Sequence, residues 1–163
     1  MGASELSALL WQERELLDLL EYRLEVQRAL LTVGESRWAQ RAADDIESAT
    51  AQLRRLNIAR DVEVQAVADD WKFNVVNPSL RELIAAAPPD GPWLEIFSAH
   101  LRAMLASVER IGARRAENGR MLREAIRHTQ ETLAGTGDRA GTYTASGTTD
   151  PGTRTAILFE DDA

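Results

Sequence analysis

Leucine recurs every seventh residue at Leu10, Leu17, Leu24 and Leu31. Leu6 and Leu20 lie on the flanking line, and Leu9, Leu16 and Leu30 widen the stripe. Glu13, Glu15, Asp18, Glu21 and Glu25 are assigned to the opposite face. A stripe this wide marks a helix from about Ser4 to Val33 that packs against more than one neighbour. Ser4 is the expected N-cap. Gly34 suits the left-handed position that ends a helix.

A second apolar line runs through Trp38, Ala42, Ile46, Ala49, Leu53, Leu56, Val64 and Val67. It predicts a helix from Glu35 or Ser36 to about Asp70, with Arg60 in register and pointing into the seam. So short a link at Gly34 makes the first two helices antiparallel neighbours. Trp71 to Pro78 reads as a break, because Pro78 disfavours helical geometry at Asn77. Ser79-Leu80-Arg81-Glu82 is a capping box that opens a short helix to about Ala86. Pro88-Pro89-Asp90-Gly91-Pro92 is a loop. The last helix starts near Trp93 and ends at Leu133 or Ala134. Two lines on it are apolar: Leu94, Leu101, Val108 and Leu122, and Phe97, Met104, Ile111 and Ala125. Asn118 falls on the second and Arg115 on the first.

From Gly135 onward the 29 residues hold seven Thr and five Gly, and no helical period. This predicts a disordered tail at 135–163 after a helical domain at 1–134. Tyr143 and Ala156-Ile157-Leu158-Phe159 are its apolar islands, either docking motifs or a staple back onto the bundle. The expected fold is all-α: an elongated, mostly antiparallel bundle of three long helices and one short one with coiled-coil-like packing.

Composition narrows the function. The 163 residues carry 26 acidic against 19 basic side chains, a net charge of −7. That argues against a nucleic-acid partner. Cysteine is absent, which removes disulfides, thiolate metal sites and thiol catalysis. No apolar run is long enough to span a membrane, and the N-terminus lacks a signal-peptide pattern, so the cytoplasm is the default location. His100 and His128 are 28 residues apart on one helix and cannot share a metal. Glu124, His128 and Glu131 have helical spacing but lack the second histidine motif of a carboxylate-bridged site. No nucleophile–base set or phosphate-binding glycine loop is present, so neither an enzyme nor a cofactor is expected. Arg110, Arg114, Arg115, Arg120, Arg123 and Arg127 form the one basic concentration, read as facing the acidic first helix or a partner helix. Asn118 at a seam position fixes register or meets a partner. Trp11, Trp38, Trp71 and Trp93 fall near helix ends, where they would cap the core.

The order of these features resembles the FlgN family of flagellar export chaperones over about residues 4–147. The residues that carry the resemblance are Glu117-Asn118-Gly119-Arg120-Met121-Leu122 in the last helix and Thr142-Tyr143 with Gly147 beyond it. The extension after Gly147 lies outside that pattern. The resemblance implies a cytoplasmic, non-enzymatic chaperone of flagellar type III secretion. Its partners would be the C-terminal helical segments of the hook–filament junction proteins, with a further contact to the export gate or ATPase complex. The expected partner face is Leu122, Ala125, Ile126, Thr129 and Leu133, with Asn118 and Arg123 setting register and Tyr143 contacting the gate or the client. The alternative is a helical adaptor or scaffold without export clients.

Overall fold

The computed structural model describes residues 2–137 and, beyond them, the backbone of two short segments at 142–143 and 149–150. The helices are α1 (Ala3–Val33), α2 (Ala39–Asp70, preceded by one 3-10 turn at Ser36–Trp38), α3 (Leu80–Ala85) and α4 (Trp93–Gly137). Strands β1 (Thr142–Tyr143) and β2 (Thr149–Asp150) pair antiparallel, Tyr143 opposite Thr149. The chain divides into two compact units, Met1–Gly119 and Arg120–Ala163, and α4 contributes to both.

Local chemistry sets the helix ends. Glu5 Oε2 accepts the Gly2 N–H at 2.8 Å, so α1 begins before Ser4 and Gly2, not Ser4, is its cap. At the far end Gly34 has φ 74°. Its N–H donates to the Leu31 carbonyl, and the Glu35 N–H donates to the Leu30 carbonyl. These are the two bonds of a Schellman motif, which needs a left-handed residue that glycine adopts without strain. After α2 the chain turns through Lys72 and Asn77, both with positive φ. The Gln65 side chain holds this turn, accepting the Asn77 N–H at 2.7 Å. Ser79 and Glu82 then make the expected capping box, each side chain bonded to the other's backbone N–H. Helix α4 starts at Trp93 as expected and runs three residues beyond Ala134. The rest of the expected tail, including the 156–159 island, lies outside the described residues apart from the β1–β2 backbone.

The core of the first unit draws on all four helices. Leu6, Leu10, Leu17, Leu20 and Leu24 of α1 meet Ala49, Leu53, Val64 and Val67 of α2, Leu83 and Ile84 of α3, and Phe97, Met104 and Ile111 of α4. Helix α2 runs antiparallel to α1: Arg60 reaches Glu13, and Arg23 donates to the Asp45 carbonyl. Helix α4 runs parallel to α1, with Arg110 on Glu21 and Glu117 on Arg28, both at a separation of 89 residues. Trp71 and Trp93 close one end of the core against Phe97, at ring distances of 6.1 and 5.4 Å. Trp11 and Trp38 are about half exposed and do not cap it.

The two apolar lines of α4 are not equivalent: Phe97, Met104 and Ile111 are buried, Leu101 is partly buried against the core, and Leu94 and Val108 are about half exposed. Glu13 was assigned to the solvent face and is buried instead. It continues the spacing Leu6, Leu10, Glu13, Leu17, Leu20, and its Oε1 accepts from Arg60 at 2.7 Å. In the amide orientation that satisfies both groups, Asn57 also donates to this oxygen, at 3.1 Å. Glu13 Oε2 is buried without a hydrogen-bond partner. Burial pushes the Glu13 carboxyl above its ordinary range, against the opposing pull of Arg60.

A buried pair of this kind costs most when one half is removed. Glu13→Ala is expected to destabilise the first unit by about 1.5–3 kcal/mol, because it removes a charged hydrogen bond and leaves the half-buried Arg60 with Asp61 as its remaining acidic partner. The double change Glu13→Leu with Arg60→Leu is expected to be neutral or stabilising. Urea unfolding of both variants decides the matter; a single variant no less stable than the double one contradicts it.

Candidate protein-interaction surface

In the first unit the α1–α4 seam is held by charge and by buried polar residues. Arg110 Nε donates to Glu21 Oε1 at 3.0 Å, Arg114 Nε lies 3.1 Å from Glu25, and Arg28 Nε donates to Glu117 at 3.1 Å. Two of the clustered arginines thus face the acidic first helix as expected. These pairs are partly exposed, so they set register more than they add stability. Asn118 is buried in the same seam. Its Nδ2 donates to the Leu24 carbonyl at 2.8 Å and to Gln27 Oε1 at 2.9 Å, while Oδ1 is buried without a partner. Asn118 thereby ties α4 to α1 within the unit.

His100 is a second buried polar group of the seam. Its Nε2 lies 3.5 Å from Ser7 Oγ, the ring meets Trp11 edge-on at 5.1 Å, and Nδ1 has no partner. The Arg14 guanidinium stacks over Trp11 at 4.4 Å. Burial, reinforced by Arg14, holds the imidazole below its ordinary pKa of 6.5.

In the second unit every described side chain of α4 from Leu122 to Gly135 is exposed. Leu122, Ile126 and Leu133 are 43, 51 and 68 % exposed. With Thr129 they fall at intervals of four, three and four residues, which is a single heptad seam. Ala125 lies on the neighbouring line. The Thr129 hydroxyl donates to the Ala125 carbonyl at 3.0 Å. Arg123 and Arg127 flank the stripe on one side by helical position, with Glu124 and Glu131 further round. Arg127 and His128 both approach Glu131 at 3.7 Å. Among the described residues no group of three or more His, Asp or Glu is placed to hold a metal. Such a face offers apolar contact and charge selection, which is the chemistry of helix recognition.

Of the expected partner residues, Leu122, Arg123, Ala125, Ile126, Thr129 and Leu133 share the helix of the second unit. Asn118 belongs to the first. Tyr143 lies on β1, and its side chain is outside the described residues.

The family model described as FlgN protein matches residues 1–151. The chain belongs to the FlgN family. Searches of curated proteins and of solved structures return no match. Membership makes this FlgN protein a flagellar export chaperone that binds flagellar substrate proteins, within a family of chaperones and not of enzymes. Among the described residues no helix is long and apolar enough to cross a membrane.

The His100 environment predicts a pH effect on this FlgN protein. The folded pKa lies below the unfolded one, so unfolding takes up a proton in the window between them. Stability is therefore full above about pH 6.5 and is lost as pH falls through the folded value. Unfolding measured from pH 7.5 to 5 is expected to show that loss, and His100→Leu is expected to flatten it. An unchanged slope in the variant assigns the loss to other groups.

Proposed function

We propose that this FlgN protein is a cytoplasmic chaperone for the hook–filament junction proteins and that it holds their C-terminal helical segments on the α4 face of Leu122, Ile126 and Leu133. The observation that supports this reading is the heptad stripe left exposed over three turns. A client segment that polymerises through its own amphipathic helix carries the matching stripe, and docking would cover both. Covering each large aliphatic side chain of the stripe contributes about 1 kcal/mol, since roughly half of each is already shielded. The flanking charge adds selectivity: an acidic residue on the client opposite Arg123 fixes its register, with Ala125 and Thr129 allowing close approach. Held in this way the client cannot self-assemble before it reaches the export apparatus.

Titration calorimetry of the full chain with the C-terminal segment of each junction protein from the same organism tests this. Saturable binding with a negative heat-capacity change is expected. Leu122→Asp with Ile126→Asp is expected to abolish binding while helicity is retained, because both positions are exposed. Binding that survives in the folded variant places the client elsewhere.

In this reading Tyr143 touches the export gate after loading. Tyr143→Ala is expected to leave client affinity unchanged and to reduce client export in cells. Normal export by the variant removes Tyr143 from the pathway.

A further inference from the structure

Helices α1 and α2 leave a groove on the side of α1 turned away from α4. Glu21, Glu25 and Arg28 reach α4. Glu15, Leu16 and Leu19 instead line the groove, opposite Arg55, Leu56 and Ala59. The groove encloses about 580 Å³ within the first unit. Its apolar character continues past both ends. Tyr22 and Val26 follow Leu19 at heptad spacing along α1, and Val62 follows Ala59 along α2. Tyr22 and Val62 are each 66 % exposed. An apolar line of this length, with α4 on the other side of α1, marks an interaction surface.

We propose that this face receives a second copy of the chain, so that two α1–α2 hairpins meet as an antiparallel four-helix bundle. The argument is charge complementarity. Glu15 and Arg55 line opposite walls of one groove, and the antiparallel register set by Glu13–Arg60 and by Arg23 on the Asp45 carbonyl brings them to similar heights along the helices. A two-fold axis along the groove brings α1 of each chain beside α2 of the other without changing any height. Glu15 therefore meets Arg55 of the partner subunit, twice per dimer, as an isologous interface requires. Any other helix laid here must bring an acid for Arg55 and a base for Glu15 at this spacing, and the hairpin already carries both. The dimer face is distinct from the α4 stripe, so client binding and self-association can fail separately.

Sedimentation equilibrium of the full chain from about 1 µM to 1 mM tests the proposal. A reversible monomer–dimer equilibrium is expected. Glu15→Arg and Arg55→Glu, at surface positions that leave helicity intact, are each expected to weaken it about tenfold, since each turns two attractions into repulsions. An equimolar mixture of the two variants is expected to recover the original affinity, because each chain supplies the charge the other lacks. Three results overturn the proposal: a monomer across the whole range, a dimer indifferent to both reversals, or a mixture no tighter than its components. A junction-protein segment that protects this groove from hydrogen exchange in a monomeric chain also overturns it, by making the client the occupant.

Discussion

Helix α1 must be covered on two sides at once, and the rest of the first unit follows from that. Its stripe is too wide for one neighbour. Gly34 folds α2 back over one flank at little cost in chain entropy, because the connection is so short. The other flank is closed by a helix that returns only after the α3 region and the proline-rich loop. Nothing local dictates how α4 then aligns. The ion pairs Glu21–Arg110 and Arg28–Glu117 fix the alignment, both at a separation of 89 residues. A slip of one turn would break both and drive Asn118 away from the Leu24 carbonyl.

The buried polar groups serve the same constraint. Glu13 with Arg60 lies between α1 and α2, and His100 and Asn118 lie between α1 and α4. Each leaves one buried atom unbonded, so each costs stability that an aliphatic residue would not. A uniform leucine seam would pack tighter but would tolerate several registers. Polar groups that find partners in only one alignment exclude the others.

Helix ends were legible in the sequence wherever side chain and backbone settle them locally, as at Gly34, Ser79 and Trp93. The start of α1 was misread because Ser4 is a better cap by type, while the structure uses Glu5 on the Gly2 N–H. The choice between the two apolar lines of α4 was not legible, since both have the correct period and similar side chains. Tertiary contact decides it: Phe97 is the residue that Trp71 and Trp93 enclose, so its line turns inward. The burial of Glu13 could have been read from its place between Leu10 and Leu17, in step with Arg60 on the next helix. The α4 stripe of the second unit was legible from period alone.

Leu94, Leu105 and Val108 share the heptad line of Leu122, Ile126 and Leu133, so burying the Phe97 line leaves most of the other line at the surface, with Leu101 alone of its first-unit leucines packed partly against the core. Charge then separates the uses of the remaining apolar surface. The acids of α1 take up Arg110 and Arg114, leaving the α4 stripe of the second unit with Arg123 and Arg127 on its flank. The α1–α2 groove has one charge of each sign on facing walls. A face bordered by one sign selects a partner of the opposite sign, whereas a face bordered by both is complementary to its own image. Binding a client and pairing with a second copy therefore call for different borders around equally apolar surfaces.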